Sequence, residues 1–187
     1  MAAKPKKASK VSKKKAKAVK PVKAKAVLPI PPGFHTVTPY LVVRNAGHAI
    51  DFYKRAFGAK ERFRMLAPDG RTGHAEVEIG TSIIMLGDEF PERGSLAPAA
   101  GTKPPVSFYL YVSDCDQVFQ EATRAGASVV AALQDMFWGD RFGTVQDPFG
   151  QVWSIATHKR DVSPAEMAKA AEEQMKQQPQ TAGVPAN

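Results

Sequence analysis

One stretch of this chain is written twice. Residues 40–59 (YLVVRNAGHAIDFYKRAFGA) return as residues 109–127 (YLYVSDCDQVFQEATRAGA) with one residue deleted. Each copy runs from a β-branched and aromatic stretch through a polar break into an amphipathic helix closed by Gly-Ala, and each is followed by further strand-like runs. The repeat unit is therefore a βα element plus a meander of strands. Two copies, about 70 residues apart, are too few and too widely spaced for a solenoid. They can instead pair their sheets around one cavity, where a small-molecule site is expected.

The first module spans residues 36–88. Thr36–Val43 reads as a strand, with Pro39 marking either an edge position or one whose missing N–H needs no ladder partner. Asn45–Phe57 reads as a helix with Ile50, Tyr53 and Phe57 on one face and Gly58 ending it. Strands follow at Glu61–Leu66, Gly73–Ile79 and Ser82–Leu86, the first two joined by the Pro-Asp-Gly turn at 67–70. The second module spans residues 105–158. It has a strand at Val106–Val112, a helix at Asp116–Ala125 with Val118, Phe119 and Ala122 inward, and strands at Ser128–Leu133, Gly143–Gln146 and Val152–Thr157. A loop, Asp135–Asp140, precedes the third of its strands, and Asp147–Gly150 reads as a turn. Ser163, Pro164 and Glu166 have the spacing of a capping box with proline at the first helical position, so a C-terminal helix is expected within 161–177. The remainder, 178–187, is expected to be disordered.

Charge divides the chain. Residues 1–27 carry eleven lysines and no acid, while the whole chain has a net charge of +8, so residues 28–187 sum to about −3. The high isoelectric point belongs to the lysine-rich segment and not to the fold. Residues 1–29 are expected to be disordered, because lysines repel one another and bulky side chains are scarce. Such a segment serves either as a solubilising extension or as a polyelectrolyte that contacts nucleic acid or another polyanion non-specifically. Without Arg or aromatic residues it has little means of reading bases. No apolar run is long enough to span a bilayer, and no secretory signal is evident. The single cysteine, Cys115, suits a reducing, cytoplasmic setting.

Several motifs fall in one order: His74-Ala75-Glu76 on the third strand, Gly139-Asp140-Arg141-Phe142-Gly143 leading to Asp147-Pro148-Phe149-Gly150, and Asp161-Val162-Ser163-Pro164-Ala165-Glu166-Met167. Over residues 34–170 this pattern resembles the vicinal-oxygen-chelate (VOC) superfamily, which includes glyoxalases, bleomycin-resistance proteins and dioxygenases. The resemblance is closer to its PhnB-like branch. It implies an α+β fold in which paired βαβββ modules form a half-open eight-stranded barrel with helices outside, within a domain spanning 30–160. It also implies dimerisation as a family habit, and a divalent metal held by residues on the first and fourth strands of each module. Here those positions map to Thr38, Met85, Ser107 and Ser154. Hydroxyls and a thioether are poor ligands for a divalent ion, so the standard metal site is expected to be absent.

Alternation along the strands sorts the cavity side from the helix side. Tyr40, Val42, Tyr109 and Tyr111 are expected to face the cavity with Thr38 and Ser107. On the third strand Ala75, Val77 and Ile79 form the helix-facing set, leaving His74, Glu76 and Glu78 on the cavity side. Ile83 and Met85 join them, and the set Glu61, Phe63 and Met65 is a further candidate. His74 and Glu76 are the leading polar pair. Glu76 is a candidate general base, or the pair anchors a polar ligand, or the two simply satisfy each other. Phe137, Trp138 and Arg141 form a second candidate group, either a lid with an anion clamp or an Asp140–Arg141 loop lock. His35, His48 and His158 are read as isolated and Cys115 as inert. Two functions follow: a metal-independent binding protein for a small, partly aromatic molecule, or a glyoxalase-like enzyme using Glu76 or His74 as base or a non-standard metal site.

Overall fold

The two copies of the repeat fold alike in a computed structural model that describes residues 27–99 and 102–177. The lysine-rich residues 1–26 and the C-terminal 178–187, both expected to be disordered, lie outside the described residues. In the first module, strand β1 (Tyr40–Val43) leads into helix α1 (Ala46–Phe57) and then strands β2 (Lys60–Leu66), β3 (Thr72–Ile79) and β4 (Ser82–Asp88). The second repeats this as β5 (Ser107–Tyr111), α2 (Cys115–Ala125), β6 (Ser128–Asp135), β7 (Asp140–Gln146) and β8 (Val152–His158), followed by α3 (Pro164–Gln177). Each module forms a four-stranded sheet, ordered β1-β4-β3-β2 in one and β5-β8-β7-β6 in the other. In each the first strand runs parallel to the fourth, and the remaining neighbours are antiparallel. The fold is α+β, and the eight strands stay open: among the described residues no ladder joins one sheet to the other.

Equivalent chemistry starts and stops the two repeated helices. Asn45 caps α1 by accepting from His48 N at 3.2 Å, and Asp114 caps α2 by accepting from Gln117 N at 3.0 Å. A second acceptor at the end of each fourth strand takes the next free amide. Asp88 accepts from Ala46 N at 2.7 Å, and Thr157 Oγ1 accepts from Cys115 N at 2.8 Å. Gly58 and Gly126 end the helices with φ of 64° and 116°, a region an L side chain rarely adopts. The expected capping box also forms, with Glu166 N on Ser163 Oγ at 3.3 Å and Ser163 N on Glu166 Oε2 at 3.0 Å.

Helices α1 and α2 each pack on one face of their own sheet and against each other. The core gathers Ile50, Phe52 and Tyr53 from α1, Phe119 and Ala122 from α2, and Ala75, Val77, Leu86, Trp153 and Ile155 from the strands. Its joint between modules is aromatic. Tyr53 and Phe57 meet Trp153 at ring-centroid distances of 5.4 and 4.7 Å, and Phe52 meets Phe149 edge-on at 6.1 Å. Such rings bury large apolar areas and favour tilted contacts.

Asp147, read from sequence as part of a plain turn, is a buried tie across this joint. It accepts from Tyr53 Oη at 2.9 Å, Trp153 Nε1 at 3.0 Å, Phe149 N at 2.9 Å and Gln151 N at 2.8 Å. Burial raises its carboxyl above the usual aspartate value, while these donors act in the opposite direction.

Other departures from the sequence reading have local causes. The first strand begins at Tyr40 and not Thr36, although the Pro39 carbonyl still accepts from Met85 N at 3.0 Å. The third strand of the second module begins at Asp140, because Met136–Gly139 is a tight turn with Gly139 N on Met136 O at 3.0 Å. A register shift at Arg62 puts Glu61 opposite Val77 and Phe63 opposite Glu76. Glu61 therefore leaves the cavity set and pairs with Lys54 at 2.7 Å and Arg64 at 2.8 Å. Ile83 is buried, so it adds no open cavity surface.

Candidate functional site

Registers align equivalent rows of side chains across the two concave faces. In the first module Tyr40, Met85, Glu76 and Phe63 stand side by side. In the second the corresponding row is Tyr109, Ser154, Thr144 and Ala131. The helix-facing set Ala75, Val77 and Ile79 is buried as alternation requires, leaving His74 and Glu76 on the opposite, half-buried face.

The first face brings together most of its expected residues. The His74 ring stacks on Tyr40 at 5.8 Å and lies 6.1 Å from Phe63, and Met65 pairs with it across the strands. His74 Nε2 is 3.6 Å from Glu76 Oε1, an ion-pair separation beyond ordinary hydrogen-bond length. Tyr40 donates to Gly73 O at 3.3 Å. It has room because position 87 is glycine: a Cβ there would come within 2.9 Å of the Tyr40 hydroxyl. Tyr40, Phe63 and Met65 remain exposed.

The second face is an aromatic wall ending in a polar hub. Tyr109 lies 5.0 Å from Tyr111 and stacks on Phe142 at 5.6 Å, and Trp138 meets Phe142 edge-on at 5.8 Å. Phe137 packs edge-on against Trp138 at 5.0 Å. The hub is Asp140, only 3% exposed. Its Oδ2 accepts from Tyr111 Oη at 2.9 Å and Tyr109 Oη at 3.3 Å, and its Oδ1 lies 2.8 Å from His158 Nδ1. His158 Nε2 lies 3.0 Å from Asp161. Burial works against ionised Asp140, but its His158 and tyrosine partners outweigh it and hold the carboxyl below the usual range. Burial pushes the Tyr109 phenol up to about 12, with Asp140 and Tyr111 adding and the Trp138 indole opposing. The hydrogen bonds to Asp140 and Asp161 raise His158 above the ordinary histidine value.

Two sequence readings change here. Asp140 and Arg141 do not lock onto each other, because neighbours on a strand face opposite sides. Arg141 instead grips Asp116 at the start of α2 with two bonds of 2.7 Å, and reaches Asp135 at 3.4 Å. Its guanidinium thus lies outside the aromatic wall, committed to protein carboxylates. His158, read as isolated, is held between two carboxylates. The signal was present in the alternation of β8, but it pointed to Asp140 only once β7 extended back to that residue.

A cleft of about 690 Å³ runs between the β1 and β5 edges, with Tyr40, Val42, Val106 and Phe108 among its walls. A second, of about 510 Å³, lies on the β5–β8 face and includes Ser107, Val130, Thr144 and Ser154. A polar cleft near Arg44 and Arg71 has its charge already committed, since Arg71 binds Asp69 at 2.8 Å and Glu92 at 2.6 Å.

The four positions implied as metal ligands do not suit a divalent ion. Thr38 donates its hydroxyl to His35 O at 3.0 Å, and Ser154 shares a hydrogen bond with Thr144 at 3.3 Å. Met85 and Ser107 offer only a thioether and a hydroxyl. Among the described residues no three His, Cys, Asp or Glu side chains are grouped as a metal would need.

The duplicated βαβββ units agree with a family match. The sequence model of the Glyoxalase/Bleomycin resistance protein/Dioxygenase superfamily matches residues 33–155. The chain belongs to this superfamily. The Mycobacterium bovis protein Mb0911c is 43% identical over 141 residues, covering 74% of this chain and 93% of its own length. TioX from Micromonospora sp. ML1 superposes with a TM-score of 0.53 at 28% identity, covering 69% of this chain and 100% of that one. The PhnB protein of Bacillus cereus shares the fold, with a TM-score of 0.54 at 18% identity over 66% of this chain and 99% of its own. No helix among the described residues is long and apolar enough to cross a membrane.

Proposed function

We propose that this superfamily member binds a small, partly aromatic molecule on its concave faces without the divalent metal of the superfamily's metalloenzymes. The observation that carries this reading is the pair of aligned rows, in which the exposed rings of Tyr40, Phe63 and Tyr109 stand beside Met85 and Ser154, the fourth-strand positions that lack a metal-ligating carboxylate or imidazole. A mostly apolar concavity with a few placed polar groups is the usual form of a small-molecule site. A second copy of the chain is the proposed means of covering these faces, since Tyr40, Phe63, Met65, Tyr109 and Tyr111 all remain open in the single chain. The free, buried thiol of Cys115 is in keeping with a cytoplasmic setting.

Titration of the full chain with the neutral fluorescent probe N-phenyl-1-naphthylamine tests the binding reading. Saturable binding is expected, weakened by Tyr109→Ala; absence of binding overturns the reading. Native mass spectrometry with and without added zinc tests the rest. A metal-free dimer is expected, and a stoichiometric, tightly held ion would sink the metal-independent assignment.

The approach of His74 to Glu76 favours one alternative, a glyoxalase-like reaction in which Glu76 takes a proton. Turnover of a substrate abolished by Glu76→Gln, with binding retained, would establish it. For residues 1–26 the eleven lysines support non-specific contact with nucleic acid or another polyanion. Affinity of the full chain for duplex DNA should then fall steeply with salt. A flat salt dependence rules this out.

A further inference from the structure

The hub at the end of the second face has a hydrogen-bond polarity that restricts what can bind beside it. A tyrosine hydroxyl has one proton to donate and lone pairs with which to accept. Both Tyr109 and Tyr111 aim that proton at Asp140 Oδ2, at 3.3 and 2.9 Å. Asp140 is almost wholly buried, and its other oxygen is occupied by His158. An ionised carboxylate only accepts, so the tyrosine protons cannot turn away without leaving Asp140 short of partners in a low-dielectric setting. What the two hydroxyls present to the open concave face is therefore lone pairs, with the Trp138 indole beside the Tyr109 hydroxyl.

Charge points the same way. Among the described residues the cationic group in contact with the hub, His158, is shared between Asp140 and Asp161, so these three side chains stay net negative even when the imidazole is protonated, while Lys159 and Arg160 line the neighbouring cleft with Arg141. Arg141, the neighbouring residue, is turned outward and bound to Asp116. The aromatic faces of Tyr111, Tyr109, Phe142 and Trp138 continue the wall beside this rim, and ring faces attract cations.

We infer that the Tyr109–Tyr111–Asp140 rim is a subsite for a hydrogen-bond-donating, positively charged group, so that the ligand is an aromatic amine bound as its ammonium form and not an aromatic carboxylate. The inference rests on the proposed binding function and names its ligand class. The ammonium donates to the tyrosine oxygens while the attached ring lies against the wall. A carboxylate in the same place would meet two acceptors and a buried negative charge with no donor to satisfy it. Nothing at the equivalent place in the first module repeats this arrangement: Tyr40 donates to a backbone carbonyl, and Thr72 takes the position of Asp140.

The test compares 1-naphthylmethylamine with 1-naphthoate on the full-length protein by calorimetry, at neutral pH and at high salt, so that the lysine-rich segment is screened. The amine is expected to bind at least about tenfold more tightly, the scale of one charge-assisted hydrogen bond. Tyr109→Phe with Tyr111→Phe keeps both rings and should bring the ratio close to one. Tyr111→Phe alone, which leaves Tyr109 and His158 as partners of Asp140, should reduce the ratio part-way. Equal or tighter binding of the naphthoate overturns the inference, as does a ratio unchanged in the folded double variant. If the neutral naphthylamine probe still binds in those cases, the binding function stands and only the ligand class fails. If the chain binds neither charged probe nor the neutral one, both fall together.

Discussion

The two modules share a fold and differ in what they place on it. Their helices begin on equivalent acceptors, end on equivalent glycines and bury equivalent faces. Across the concave side the likeness stops after the first residue of the row. Tyr40 is followed by Met85, Glu76 and Phe63, whereas Tyr109 is followed by Ser154, Thr144 and Ala131. One module therefore keeps a carboxylate and an imidazole in mid-sheet, and the other clears its middle and gathers charge at the rim around Asp140. Helix-facing positions are constrained by packing on a shared core, in which small changes of volume are felt. Cavity-facing positions carry no such constraint, so that is where the copies are free to diverge.

The joint between the modules is one-sided too, and breaking it should have the largest effect. Asp147 belongs to the second module alone, where the first has the short Gly80-Thr81 turn. Asp147→Ala would strand the buried Trp153 Nε1 and Tyr53 Oη donors, at a cost of about 3 kcal/mol. Urea denaturation measures it, and an unchanged midpoint would remove Asp147 from any role in joining the modules.

Next in size is an exchange at matched positions on the helix-facing side. Ala75 of β3 corresponds to Gly143 of β7. A Cβ on Gly143 would lie 2.8 Å from the Phe119 ring and 3.1 Å from Leu133 N. Gly143→Ala should therefore destabilise the protein by roughly 1–3 kcal/mol, although its counterpart already carries that methyl. Thermal melts decide the matter, and a neutral result would mean that α2 gives way more easily than α1.

Smaller effects are expected on the open faces. Glu76→Thr copies the second module's row into the first. If the amine-selective end is at Asp140, affinity for 1-naphthylmethylamine should fall by less than about fivefold, as for a partly exposed charge at a distance. A larger loss would move the cationic subsite to the first module.

The smallest effect is a pH dependence confined to the second rim. His158 has its pKa raised above 6.5 by Asp140 and Asp161. Its contribution to stability is complete below 6.5 and is lost as pH rises through the higher folded value. The tyrosines facing Asp140 stay protonated throughout this range, with Tyr109 near 12 and Tyr111 raised by its bond to Asp140. His158→Asn should flatten the profile on the alkaline side of 6.5. Glu89, the first-module counterpart, is paired with Arg44 at 3.2 Å.

Much of the site was legible from alternation alone. The buried set Ala75, Val77 and Ile79 was evident from period two, and with it the opposite placement of His74 and Glu76. The misplacement of Glu61 came from a register shift that alternation cannot register, because one extra residue reverses every side chain before it. Asp140 and His158 were missed because a turn rich in Gly and Asp looked like loop up to Gly143. The Arg141–Asp116 pair joins residues far apart in sequence, and nothing local announces it.

By itself the sequence determined the duplicated βαβββ unit, its helix caps, its inward faces and the lack of metal-ligating side chains at Thr38, Met85, Ser107 and Ser154. These are properties of residue type, spacing and local hydrogen bonding. Only the tertiary structure decided which charges are committed and which stay available: Arg141 to Asp116, Asp147 to the aromatic joint, His158 to Asp140 and Asp161. The reason is physical. A strand fixes the direction of a side chain through its own backbone, but the partner that chain meets comes from another element, and the packing of the two modules sets that element's position.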